Sequence, residues 1–257
     1  MPDLHFVRTG SGPPLLVLHG LFGSGKNWHS HMRRLAGHFE VFCVDLRNHG
    51  QSFHSDEMNY ALMADDVVRL MRQQELDGCR ILGHSMGGKV AMTLAIQQPV
   101  LLSRMIVADI APVAYYHHYD DLIEPILALD LGRVESRTQI DHALRPNIPE
   151  DLLRAFLLQN LARNEHGWSW RVNWPVIQRE MDSLTGFDPL PSDWVGDLPT
   201  LFIRGANSDY VGNAEIEVIE RHFRNAEIAT IEGVGHWLHA EKPVDFAHLA
   251  LEFLNQE

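Results

Sequence analysis

Ile81-Leu82-Gly83-His84-Ser85-Met86-Gly87-Gly88-Lys89-Val90-Ala91 is the stretch that decides the fold. An apolar run enters a serine held in the pattern G-x-S-x-G. A segment rich in small residues, Gly87, Gly88, Ala91 and Ala95, leaves it. The five-residue pattern alone is weak, and the strand before it and the helix after it make it specific. Such a turn presents a serine hydroxyl beside the first amides of a helix, and its glycines let neighbouring backbone pass closely.

On either side of this turn the chain alternates strands and helices. Leu15 to Leu18, Val41 to Val44 and Met105 to Ala108 are short aliphatic runs of the kind buried on both sheet faces. Helices are expected from Trp28 to Ala36, from Tyr60 to Gln74 with Asn59 as N-cap, and from Gly87 to Gln98, where Pro99 stops it. After Asp109-Ile110-Ala111-Pro112 the rhythm breaks, and residues 113–195 show only helical patterning. Alternation resumes with strands at Thr200 to Ile203 and Ile228 to Ile231, and helices at Ala214 to Phe223 and Val244 to Leu254. The expected fold class is α/β, with a mostly parallel sheet flanked by helices. Residues 1–112 and 196–257 form its core, and 113–195 form a helical lid over the strand ends.

Composition narrows the function. The 257 residues are 45% hydrophobic and 21% charged, which suits one globular domain. A net charge of -13 argues against nucleic acid and anionic membrane surfaces. No run approaches the roughly 20 apolar residues of a membrane span, and no leader is visible at the N-terminus, so a cytoplasmic protein is expected. Cys43 and Cys79 read as buried strand thiols. Nothing in the sequence decides between a monomer and a dimer.

A serine hydroxyl needs a base before it can attack. Among sixteen histidines, His236 is chosen by position, on the glycine-flanked loop Gly233-Val234-Gly235-His236-Trp237 after the last strand. His236 and His239 lack the spacing and third ligand of a zinc site, so no metal is expected. His29, His31, His117 and His118 read as surface residues. The orienting acid is either Asp109, at the end of one strand, or Asp209, just beyond the next. Asp45 reads as a turn organiser. For the oxyanion, Met86 N–H is the first donor and Leu21 N–H the second, with Phe22 as its alternative. Phe22, Met86, Trp237 and the tryptophans Trp168 and Trp170 are expected to line the acyl site.

His19-Gly20-Leu21-Phe22-Gly23-Ser24, Asp45-Leu46-Arg47-Asn48-His49-Gly50, Gly83 to Lys89, Asp109 to Val113, Trp170-Arg171-Val172-Asn173 and Gly235 to Pro243 together resemble one family. The chain is similar to the bacterial YbfF-type esterases and their animal relatives, within the α/β-hydrolase superfamily. That resemblance spans nearly the whole chain. It implies an α/β-hydrolase fold with the lid inserted after the sixth strand. It also implies a cofactor-free serine carboxylesterase that takes short to medium acyl esters or acyl thioesters. Such relatives often lack an acid at the position of Asp209 and use the aspartate matching Asp109, so the reading leans to Asp109. A C–C bond hydrolase or lyase could use the same residues, and a ligand receptor without turnover is the rival from another class.

Overall fold

The computed structural model describes residues 2–116, 119–165 and 167–256. In chain order its first part runs β1 (Phe6–Thr9), β2 (Pro14–Leu18), α1 (His29–Leu35), β3 (Glu40–Val44), α2 (Tyr60–Gln73), β4 (Cys79–His84), α3 (Met86–Gln97) and β5 (Leu102–Ala108). The insertion holds α4 (Asp120–Leu127), α5 (Arg137–Leu144), α6 (Asp151–Leu157), β6 (Leu161–Asn164), β7 (Gly167–Trp170), α7 (Trp174–Arg179) and α8 (Met181–Thr185). The last part is β8 (Thr200–Gly205), α9 (Asn213–His222), β9 (Ala226–Ile231), α10 (Leu238–Glu241) and α11 (Pro243–Leu254).

One sheet runs in the order β1-β3-β2-β4-β5-β8-β9, with β1 antiparallel to β3 and all other pairs parallel. The aliphatic runs form its middle because helices cover both faces. Alternate residues then enter two separate cores. Leu16 and Leu18 pack with α2 and α3, whereas Leu15 and Val17 pack with α1 and α11. This is the α/β architecture expected, a mostly parallel sheet flanked by helices. Parallel strands bring every strand C-terminus to one edge, and that edge carries the site. His84 pairs with Ala108 and Ala108 with Ile203, so the residues that follow β4, β5 and β8 emerge side by side.

The insertion differs from its reading in two ways. It follows the fifth strand among the described residues rather than the sixth, because a single strand, β1, is added at the β3 edge. It is also not wholly helical, since β6 and β7 pair antiparallel from Leu161–Trp170 to Asn164–Gly167. Four-residue strands are too short to stand out against the helical spacing of Leu153, Leu157 and Leu161. The edge strand β1 is as short and is half exposed, so it shows no continuous apolar run. His117 and His118 lie outside the described residues. Among those described, no helix is long and apolar enough to cross a membrane.

Candidate active site

Ser85 sits between β4 and α3 at φ 51° and ψ -119°, a left-handed backbone that a non-glycine residue adopts only under constraint. The constraint is close packing. A Cβ on Gly87 would lie 2.5 Å from the Leu18 carbonyl oxygen, and one on Gly83 would lie 2.2 Å from that of Gly87. The Ser85 amide donates to Ala108 O at 2.9 Å, which pins the turn to β5.

His236 bridges two of the predicted residues. Its Nε2 lies 3.0 Å from Ser85 Oγ, and its Nδ1 lies 2.8 Å from Asp109 Oδ2. Asp109 is fully buried, at φ 53°. Its Oδ1 accepts from the Gly205 amide at 2.9 Å, and its Oδ2 also accepts from the Ser208 hydroxyl. Asp209 is exposed and is not brought to His236. The loop after β8 turns Ser208, not Asp209, toward the buried carboxylate. Tyr210, from the same loop, stacks on the His236 ring at 4.0 Å and 22°.

Leu21 and Met86, the expected oxyanion donors, border a small cavity together with Ser85. Neither Leu21 N–H nor Met86 N–H donates to another group among the described residues. Phe22 N–H, the alternative second donor, is already taken, because it donates to His49 Nε2 at 3.2 Å. His49 is buried, and burial holds its pKa down to about 3. It is therefore neutral, with Nδ1–H donating to Arg47 O at 3.0 Å and Nε2 left to accept. The Phe22 carbonyl accepts from Asn160 Nδ2 at 2.7 Å. Phe22, at φ 61°, is thus held from the core on one side and from the insertion on the other.

More buried histidines pack behind His236. His84 Nε2–H donates to the His236 carbonyl at 2.9 Å, and burial holds its pKa well below the ordinary imidazole value. His31, read from the sequence as a surface residue, is buried and bonds the His239 carbonyl at 2.8 Å. His239 stacks on Trp28 at 4.6 Å. Among the described residues no group of three metal-binding side chains gathers. Asp45 accepts from the amides of Gly25 and Gln51 at 2.7 and 2.9 Å, which is a turn organiser's work.

A cavity of about 310 Å³ opens in front of Ser85 and His236. Phe22, Leu122, Leu153, Phe156 and Trp237 give it an apolar wall. Leu122, Leu153 and Phe156 come from the insertion. Trp168 and Trp170 do not line it. Their hairpin turns them into the packing of the insertion, where Trp170 meets Trp174 edge-on at 5.8 Å and Arg163 lies over Trp168 at 5.4 Å. Met86 borders a second, smaller cavity. The sequence reading passed over Ser208, Tyr210, His49 and Asn160. Ser208 and Tyr210 carried a signal only as neighbours of the acid candidate Asp209, and His49 only as a member of the run Asp45 to Gly50.

A family model described as the alpha/beta hydrolase fold matches residues 13–243. The chain is 37% identical over 257 residues to the sn-1-specific diacylglycerol lipase ABHD11 of Danio rerio, covering 97% of this chain and 80% of that protein. It is 35% identical over 243 residues to Esterase YbfF of Escherichia coli, covering 94% of this chain and 93% of that protein. Among solved structures, a marine microorganism esterase superposes with a TM-score of 0.95 at 38% identity, covering 98% of this chain and 100% of that one.

Proposed function

Since the chain belongs to the alpha/beta hydrolase fold family, we propose that it is a serine carboxylesterase acting on short to medium acyl esters or acyl thioesters. The observation that carries this reading is His236, within hydrogen-bonding distance of both Ser85 Oγ and Asp109 Oδ2. Ser85 Oγ attacks the ester carbonyl carbon while His236 Nε2 takes its proton. The developing oxyanion is held by the Leu21 and Met86 amides, the latter the first of α3, where the helix end favours negative charge. As the tetrahedral intermediate collapses, the bond to the leaving oxygen or sulfur breaks and His236 delivers the proton to it. Water, deprotonated by the same imidazole, then adds to the acyl carbonyl carbon. The bond to Ser85 Oγ breaks, the imidazolium returns its proton to that oxygen and the carboxylic acid leaves. Asp109 keeps Nδ1 protonated and offsets the imidazolium charge, and Ser208 and the Gly205 amide fix the carboxylate in place.

Residues 113–195 act in this reading as a lid, because Leu122, Leu153 and Phe156 close the apolar wall in front of Ser85. The test is covalent. A fluorophosphonate should label wild-type chain at Ser85, and Ser85→Ala should lose both the label and ester turnover. The expected loss in kcat is roughly 10⁴ to 10⁶. Retention of more than a few per cent of kcat in folded Ser85→Ala would sink the assignment.

A further inference from the structure

Two cavities of very different size meet at Ser85. The larger, about 310 Å³, has His236 in its wall and lacks Met86 and Lys89. The smaller, about 30 Å³, has Met86, Lys89, Ile110 and Leu184 in its wall and lacks His236. Leu21, Ser85, Tyr119 and Tyr210 border both. The stereochemistry of acyl transfer tells the two apart. The tetrahedral carbon carries Ser85 Oγ, the oxyanion, the leaving group and the acyl chain. The oxyanion faces the Leu21 and Met86 amides. The leaving oxygen must reach His236 Nε2 to be protonated, so the leaving group lies on the His236 side. The acyl chain takes the one direction left, away from the imidazole.

We infer that the small cavity is the acyl subsite and the large cavity the leaving-group subsite, so that the preferred substrates are two- or three-carbon acyl esters of larger apolar alcohols. This rests on the esterase reading above and narrows its substrate class. A water-sized group needs about 10–15 Å³ of such space, so the small cavity holds about two. That accommodates the methyl of an acetyl group or the ethyl of a propionyl group. Its wall does not give way easily. Lys89 is almost fully buried there, and its ammonium donates to the carbonyls of Thr185 at 2.8 Å and Gly186 at 2.7 Å. Tyr60 and Tyr115 flank that ammonium at 5.5 and 4.8 Å. A longer acyl chain would have to displace this packing. A long alcohol finds Phe22, Leu122, Leu153, Phe156 and Trp237 on its side.

Two ester series on the wild-type chain test this. In p-nitrophenyl esters from acetyl to octanoyl, kcat/KM should fall at least roughly tenfold between propionyl and hexanoyl. In acetate esters from ethyl to octyl, it should rise by a similar factor as the alcohol lengthens. Leu184→Ala should raise the hexanoyl-to-acetyl ratio about tenfold, and Phe156→Ala should lower the octyl-to-ethyl ratio while leaving the acyl ratio alone. Ratios do not depend on how much of a variant folds. Octanoyl esters or 1,2-dioctanoylglycerol turned over as fast as acetyl esters would overturn the assignment of the cavities while sparing the esterase reading. A chain that turns over no ester and leaves Ser85 unlabelled would overturn both.

Discussion

Asp109 meets His236 from a position that the rest of the loop makes hard to replace. Its backbone is left-handed, its carboxylate has no contact with solvent, and both oxygens accept hydrogen bonds. Asn at this position keeps the shape and loses the charge, and its amide would favour the wrong imidazole tautomer. We expect Asp109→Asn to lose up to about 10⁴ in kcat, following the serine-protease precedent. Asp209→Asn, at an exposed position, should stay near wild type. Paired kinetics and thermal melts check this, and an inactive but well-folded Asp209→Asn would contradict the geometry. His49 offers a subtler case. It takes the Phe22 amide out of contention and so leaves Leu21 as the donor. His49→Ala should lower kcat by up to roughly 10²-fold with little change in KM, because an oxyanion contact forms only in the transition state. A rise in KM with kcat intact would instead mean a role in substrate binding. Ser85 and His236 were legible in the sequence because glycines mark both loops locally. His49 and Asn160 were not, because each acts on Phe22 from 27 and 138 residues away.

At the scale of elements, legibility followed burial. β2, β3, β4, β5 and β8 could be read because helices cover both faces of the sheet and the runs are largely apolar. By contrast β9, at the far edge and mostly half exposed, showed only in its end Ile228-Ala229-Thr230-Ile231. β1 could not, since Phe6-Val7-Arg8-Thr9 lies at the edge and is half exposed. The hairpin β6–β7 was hidden because Trp168-Ser169-Trp170 gives only one period of alternation. Helix ends were readable where a cap fixes them. Asn59 sits in extended backbone at φ -153°, and its side chain accepts from the Leu62 amide at 2.9 Å. This satisfies one of the free amides of α2, whose other face buries Met63, Val67 and Leu70. Asn59→Ala should therefore cost about 1 kcal/mol in urea unfolding, with kcat/KM unchanged. A loss above about 3 kcal/mol would mean that the residue does more than cap the helix.

For the whole molecule, Lys89 ties the two parts of the chain together. It leaves α3 one turn after Ser85 and reaches the backbone of the insertion at Thr185 and Gly186. Burial pulls its pKa from 10.5 down to about 7. The unfolded chain therefore keeps a lysine proton between pH 7 and 10 that the folded chain gives up. The state with more bound protons is disfavoured as pH rises, so folding gains stability across that window and loses it as pH falls toward 7. The slope is at most about 1.4 kcal/mol per pH unit. Tyr60 and Tyr115, which face the ammonium, do not titrate in this range, because burial pushes both phenols above their ordinary values. Every other group titrates equally in a Lys89→Met variant, so the difference between the two proteins isolates the lysine. Below pH 7 the variant removes a buried charge and also two hydrogen bonds, and these effects oppose each other. Between pH 7 and 9.5 only the wild type should gain from this lysine. Urea unfolding at four pH values would measure the gap, which should widen in favour of the wild type as pH rises. Parallel profiles across that window would mean that Lys89 keeps an ordinary pKa despite its burial, held charged by the Thr185 and Gly186 carbonyls and the faces of the surrounding rings.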